Sequence, residues 1–291
     1  MTWLITGGSG QLGIAISREL SDRNLLFKSC GSKDLDITEP QQVTDLISIL
    51  QPEVIVNCAA WTDVDAAEKY PERAFRINSY GAQNIAIAAR KNDCKLIQLS
   101  TDYVFAGDPR ELLEVDFPTN PESVYGRTKA DGEKLVINTY PERSYIVRTA
   151  WLYSPWGKNF AKSMTTLALS GEKEVRVVDD QIGQPTSAID LAAQIVELAL
   201  SDSPAGIYHG TNSGETSRFH FAREIFRLAG VQENYVVPVP TIEYQQVAKR
   251  PSRSVLGQKS WEKSELQPMR NWKEALASAM PAIISSTIVS E

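Results

Sequence analysis

The 291-residue sequence contains only two histidines, His209 and His220, and three cysteines, Cys30, Cys58 and Cys94. Cysteine, histidine and acidic residues nowhere fall together at zinc-ligand spacing, which argues against a metal site of that kind. The cysteines are odd in number and sit in mostly apolar stretches, so they read as reduced, buried residues of a cytoplasmic protein. Long apolar runs are also missing, and no window approaches the roughly 20 apolar residues of a membrane span. The first apolar run, Trp3 to Ile5, passes straight into a glycine-rich turn. It lacks the charged stretch and the apolar segment of about 7–15 residues that make a secretory signal. Nor is there an excess of basic charge: 30 Lys and Arg against 36 Asp and Glu give −6. A general nucleic-acid binder, whose affinity rests on neutralising phosphates, is therefore not expected. An anionic small molecule stays open, because backbone amides and one or two local cations can hold a phosphate.

What is present is an alternation. Short apolar runs at Trp3–Thr6, Leu25–Cys30, Val54–Cys58, Lys95–Ser100 and Tyr145–Thr149 predict strands. Helical patterns near Gln11–Leu20, Pro40–Leu50, Pro71–Lys91 and Val124–Thr139 separate them. Nearly all-apolar strands between helices indicate a parallel sheet covered on both faces, the doubly wound α/β arrangement. Such a sheet binds its ligands beyond the carboxyl ends of its strands. After Ala150 the alternation weakens, with helical patterns near Asn159–Leu169, Ala188–Leu200 and Phe219–Leu228 and a short strand at Val175–Val178. Residues 1–150 are expected to form a dinucleotide-binding domain, its sheet completed by parts of 175–210. Residues 151–291 are expected to form mainly a smaller C-terminal substrate-binding lobe, ending in one closing helix after Met269.

The stretch Thr6-Gly7-Gly8-Ser9-Gly10-Gln11-Leu12-Gly13 follows the first strand and opens the first helix. Glycines at 7, 10 and 13 suit a tight turn, close approach to a pyrophosphate and close helix packing. The helix N-terminus then offers unpaired N–H groups to the anion. This is the signature of a Rossmann dinucleotide site. A site for NAD usually carries an acid near the end of the second strand to hold the ribose 2′-hydroxyl. Here Phe27-Lys28-Ser29-Cys30-Gly31-Ser32-Lys33 has no acid before Asp34. Hydroxyls and a lysine suit a 2′-phosphate, so NADP(H) is expected, with NADH tolerated.

Tyr125 and Lys129 stand four residues apart and share one face if they open a helix. A phenol of pKa about 10 is almost wholly protonated at neutral pH. A neighbouring ammonium is expected to lower that pKa and bring proton transfer within reach. The lysine also suits the nicotinamide ribose. The run Ser100-Thr101-Asp102-Tyr103-Val104-Phe105 begins at the end of the fourth strand, on the ligand-binding edge. A hydroxyl there can donate to a substrate carbonyl and stabilise the developing alkoxide. Thr101, Tyr125 and Lys129 are thus the expected catalytic set.

With these motifs the chain resembles the extended short-chain dehydrogenase/reductase family, and within it the dTDP-4-dehydrorhamnose reductase branch, along nearly its whole length. The resemblance rests on the Gly10–Gly13 turn, Leu35-Asp36-Ile37-Thr38, Asn57-Cys58-Ala59-Ala60-Trp61-Thr62, Val64-Asp65, Ala67-Glu68, Ser100–Phe105 and Tyr125–Lys129. It continues through Arg148-Thr149-Ala150-Trp151-Leu152-Tyr153, Asn159-Phe160, Asp180–Thr186 and Arg250-Pro251. It implies that Gly7, Gly10, Gln11, Leu12 and Gly13 meet the cofactor phosphates and Asp36-Ile37 the adenine. Ala59, Ala60, Trp61 and Thr62 would line the nicotinamide side. Thr101, Asp102 and Tyr103 would meet the sugar, with Val64 nearby, and Trp151 would pack against the deoxysugar. The implied reaction is reduction of the C4 keto group of dTDP-4-dehydro-L-rhamnose to dTDP-L-rhamnose, a precursor of cell-surface polysaccharide. Two departures stand out. Arg253 precedes Ser254 where the family has asparagine, and Val255-Leu256-Gly257-Gln258 lacks the acid that follows the leucine.

Other readings compete. A dehydratase of the same superfamily needs a second carboxylate beside the Thr-Asp pair, and Tyr103 occupies that place. Epimerases and dehydratases retain NAD, which the second strand does not match. A reductase of another nucleotide deoxysugar stays open. A non-catalytic regulatory subunit, like that of methionine adenosyltransferase, has no need to keep Thr101, Tyr125 and Lys129 together. The residues carry no mark of Mg²⁺ and do not separate a monomer from a homodimer.

Overall fold

A computed structural model describes residues 1–107, 112–244, 246–262 and 264–288. Among them six strands form one parallel sheet: β1 (Thr2–Thr6), β2 (Leu26–Cys30), β3 (Val54–Asn57), β4 (Lys95–Thr101), β5 (Ser144–Thr149) and β6 (Gly206–His209). Their order is β6-β5-β4-β3-β1-β2. The chain winds outward from β1 in both directions, so the switch point lies between β1 and β3, where a doubly wound sheet opens a crevice. Register holds Thr6 beside Cys30 and Asn57, and Thr101 beside Thr149, so these strands end level with one another.

Alternation along the strands explains the layers, because successive side chains point to opposite faces. Trp3, Ile5, Val54, Val56, Ile97 and Val147 pack against α1 (Gln11–Asp22) on one side. Leu4, Ile55, Leu96 and Ile146 pack against α2 (Pro40–Leu50), α3 (Ala82–Lys91) and α4 (Val124–Thr139) on the other. With both faces buried, the inner strands β1 and β3 read as largely apolar runs, whereas the edge strand β2 carries Lys28 and Ser29 and is half exposed. No described helix is long and apolar enough to cross a membrane.

The helix expected over Pro71–Lys91 is present and stays helical throughout, with a widened turn in its middle. It runs as Pro71–Phe75, a π-turn at Arg76–Gly81, and then α3. Polar side chains take the place of a smooth apolar stripe: Asn78 Nδ2 donates to Thr128 Oγ1 (2.9 Å) and Ser79 Oγ to the Thr128 carbonyl (2.8 Å). π-Turns of this kind are frequent at functional sites.

Beyond residue 150 the chain forms α5 (Phe160–Leu169), α6 (Ala188–Leu200), α7 (Arg218–Leu228) and α8 (Trp272–Ile288). Helix α6 returns to the main sheet, while α5, α7 and α8 share a separate apolar cluster around Phe221, Phe226 and Leu276. The strand Val175–Val178 pairs with Val236–Val239 outside the main sheet. Two shorter ladders follow: Leu152–Tyr153 with Thr186–Ser187 ties the lobe to the chain leaving β5, and Ile182–Gly183 with Thr216–Ser217 joins the segments that precede α6 and α7.

Candidate active site

The carboxyl ends of β1, β3, β4 and β5 open into a cleft of about 910 Å³. At one end lies the glycine turn. Gly7 has φ +63°, and a Cβ there would fall 2.6 Å from the Ala59 nitrogen, so only glycine lets the turn sit on the end of β3. Gly10 is the N-cap of α1 and supplies no side-chain cap, so the helix presents bare N–H groups toward the cleft. Beneath the switch point a buried chain of side chains holds the strand ends together. Thr6 donates to Asn57, Asn57 Nδ2 to Gln98 Oε1 (2.7 Å), and Gln98 Nε2 to the Leu99 carbonyl (2.9 Å).

The opposite wall is built by β4 and α4. Ser123 caps α4 by accepting from the Gly126 nitrogen (3.1 Å), and Glu68 accepts from the Val124 nitrogen (2.7 Å). A Cβ on Gly126 would lie 2.2 Å from the Tyr103 carbonyl oxygen. The glycine therefore lets the start of α4 close onto the loop after β4, which brings Tyr125 beside Thr101. The Tyr125 and Tyr103 rings meet edge to face at 5.6 Å. One turn on, Lys129 is buried and donates to the Leu99 carbonyl at 2.6 Å. Thr101 Oγ1 donates to Asp102 Oδ1 (3.0 Å).

Electrostatics here differ from the expectation drawn from residue types. Burial raises the Tyr125 phenol above its usual pKa; the adjacent Thr101 hydroxyl opposes this, and Asp102 adds to it. The Lys129 ammonium is itself pulled down to about 8 by burial, against the pull of Glu133 and Cys58. Desolvation thus outweighs any benefit the phenolate draws from its neighbour, and the phenol stays firmly protonated. Burial also pushes the Asp102 carboxyl up to about 6, opposed by Thr101, Ser254 and Arg218. Behind Thr101, Arg148 clamps Glu133 through two bonds of 2.9 and 2.7 Å, and Ser100 donates to the same carboxylate.

Nearly all residues singled out in the sequence line this cleft: Gly7, Gly10, Gln11, Leu12, Gly13, Asp36, Ile37, Ala59, Ala60, Thr62, Val64, Thr101, Asp102, Tyr103, Tyr125, Lys129 and Trp151. Leu12 and Ile37 are core residues as well, 6% and 4% exposed. The Trp61 side chain is not in the lining. Its Nε1 donates to the Asp63 carbonyl (2.9 Å) and its ring packs against Tyr70, under the Arg73 guanidinium. Its backbone is instead held by Asn78, which accepts from the Trp61 nitrogen and donates to its carbonyl. Cys30 and Cys94 are buried as expected, but Cys58 is only partly buried and faces the cleft. Lys28 and Lys33 are exposed outside the lining, where Ser9 and Ser32 stand. Asp34 turns back to accept from the Gly31 nitrogen (2.8 Å).

Sequence reasoning missed Gly157, Lys158 and Arg218 in the lining. Nothing in local spacing marks them, since each reaches the cleft through the lobe's packing. The departures near residue 253 have structural partners. Arg253 pairs with Glu215 at 2.6 Å, and the Glu114 carboxylate occupies the space a side chain at Gly257 would need.

Comparison with known proteins agrees with this geometry. A dTDP-4-dehydrorhamnose reductase of Streptomyces griseus is 43% identical over 285 residues, covering 97% of this chain and 93% of that protein. A dTDP-4-keto-6-deoxy-D-glucose reductase of Streptomyces niveus is 41% identical, covering 97% of each. The crystal structure of dTDP-4-dehydrorhamnose reductase from Bacillus anthracis in complex with NADP superposes with a TM-score of 0.92 at 38% identity, covering 96% of this chain and 98% of that one. The family model described as the RmlD substrate binding domain matches residues 1–284, and the chain belongs to that family.

Proposed function

We propose that this protein is an NADPH-dependent reductase that converts dTDP-4-dehydro-L-rhamnose to dTDP-L-rhamnose. The observation that carries the reading is the convergence of Thr101, Tyr125 and Lys129 on the wall of a cleft whose other end is an uncapped helix N-terminus behind a glycine turn. Those parts fit a dinucleotide: the turn leaves room for a pyrophosphate, and the hydroxyls of Ser9 and Ser32 suit a 2′-phosphate. When bound, NADPH supplies the hydride for C4 of the sugar. Residues 1–150 serve the cofactor, and much of 151–291 serves the sugar nucleotide. The reactants are water-soluble nucleotides, consistent with a cytoplasmic enzyme.

The chain's own residues handle the oxygen. With substrate in place, Thr101 turns its single hydroxyl proton from Asp102 to the C4 carbonyl oxygen and stabilises the charge that develops there. Tyr125 gives that oxygen its proton, and the raised phenol pKa keeps the donor loaded at neutral pH. Lys129, anchored on the Leu99 carbonyl, orients the ribose and keeps a positive charge below the reacting centre. Tyr103, in the place where a dehydratase carries a second carboxylate, packs on Tyr125 and favours simple reduction. The test is loss of NADPH absorbance with dTDP-4-dehydro-L-rhamnose. Activity confined to another 4-keto sugar nucleotide would overturn the substrate and leave the chemistry; no activity with any would overturn both.

A further inference from the structure

Helix α7 opens with Arg218, whose guanidinium lies 3.6 Å above the centre of the Trp151 ring and 5.2 Å from that of Phe160. The Nε1–Cζ2 side of the same indole rests against Gly183, where a Cβ would come within 2.6 to 2.8 Å of it. Trp151 itself sits at φ +44°, an unusual conformation for a bulky side chain. The indole is therefore wedged in place and serves as a platform for the cation. Arg218 lines the cleft beside Asp102 and Tyr103.

The charges around it are committed elsewhere. Asp102 accepts from Thr101, and Arg250 is paired with Asp65 at 2.8 Å. Among the described residues the Arg218 guanidinium has no carboxylate within ion-pair distance and no hydrogen-bond acceptor. Burial pulls its pKa down to about 10, so it stays charged at neutral pH. A desolvated guanidinium that has only ring contacts and the longer-range pull of Asp102 and Tyr103, with its N–H groups unmatched, is costly unless an anion completes it, and its planar fork matches phosphate oxygens.

We propose that Arg218, held flat on Trp151, binds the diphosphate of the sugar nucleotide through the phosphate next to the sugar. This rests on the dTDP-sugar reading above and adds to it the residue that recognises the nucleotide diphosphate, which stays attached to the sugar throughout the reduction. Trp151 then acts as a positioning residue for Arg218.

The test uses the whole protein with dTDP and dTMP as probes, each titrated calorimetrically in the presence of NADPH. Wild type should bind dTDP more tightly than dTMP. Arg218→Met, which keeps an apolar stem over Trp151, should weaken dTDP about 10- to 100-fold while leaving dTMP within about threefold, the loss of one charge-assisted contact. Arg218→Lys should recover part of the difference, and NADPH affinity should stay unchanged in both as proof of folding. In turnover, KM for the sugar nucleotide should rise with kcat nearly constant. Equal weakening of dTDP and dTMP, or no weakening, would overturn the proposal. Failure of wild type to bind dTDP would overturn the nucleotide reading and this inference with it.

Discussion

Replacing Tyr125 with phenylalanine isolates the proton donor. The ring stays, and with it the edge-to-face contact to Tyr103 at 5.6 Å and the packing on Ala67, Ala74 and Val124. Only the hydroxyl is lost, and its neighbour is Thr101. One net hydrogen bond is worth about 0.5–1.5 kcal/mol, so the variant should fold with a melting temperature within a few degrees of wild type. Removing general acid catalysis costs about 10²–10⁴ in rate, or about 2.7–5.4 kcal/mol of barrier. Turnover under saturating NADPH and sugar nucleotide should therefore fall by that factor, with NADPH affinity unchanged within about twofold. Since burial holds the phenol high, the site groups that titrate near neutrality are Asp102, with its pKa at about 6, and on the alkaline side Lys129, at about 8. Its ammonium is present below that value and lost as pH rises through it, so wild-type kcat should decline around pH 8. Retention of more than a third of the wild-type rate by the Phe variant would remove Tyr125 from the acid role.

Three further outcomes are expected. Ser32→Asp should lower kcat/KM for NADPH about tenfold or more and shift preference toward NADH, because a carboxylate near a 2′-phosphate costs about 1–4 kcal/mol; Ser29 is the poorer site, since its hydroxyl is turned against Gly8, and unchanged NADPH kinetics would refute the assignment. Glu133→Gln leaves Arg148 buried without its carboxylate and should destabilise by about 3–5 kcal/mol in urea unfolding; a loss under 1 kcal/mol would mean the pair contributes little. Asp102 carries its folded pKa up to about 6, so its ionisation penalises the folded state once pH rises above the unfolded value of about 3.9. Asp102→Asn should accordingly raise the melting temperature relative to wild type more at pH 7.5 than at pH 4, and a difference independent of pH would contradict that shift.

Much of the architecture follows from local pattern alone. Trp3–Thr6 and Val54–Asn57 are apolar on both faces because both faces are covered, and the strand runs in the sequence show this directly. Helix α4 matches its expected limits, Val124–Thr139, and the four-residue spacing of Tyr125 and Lys129 puts both on the cleft side. The glycine turn was legible for the same reason, since its demands are steric and local. The helix expected over Pro71–Lys91 is present along that whole stretch, and only its π-helical segment at Arg76–Gly81, where Asn78 and Ser79 bond to Thr128 about fifty residues away, was not legible from the helical period.

The sequence by itself determined the order of strands and helices, the phosphate turn and the candidate phenol, ammonium and hydroxyl of the site, because periodicity, turn sterics and residue chemistry act over a few neighbours. Only the tertiary structure decided that the Trp61 side chain stays outside the cleft lining, that Cys58 lines it, and that Arg218 lies on Trp151. It also reversed the expected pKa shift of Tyr125. Desolvation depends on everything that closes around a group, and cleft lining depends on which strand ends and lobe segments meet. Both are properties of the assembled sheet and lobe, and spacing along the chain does not contain them.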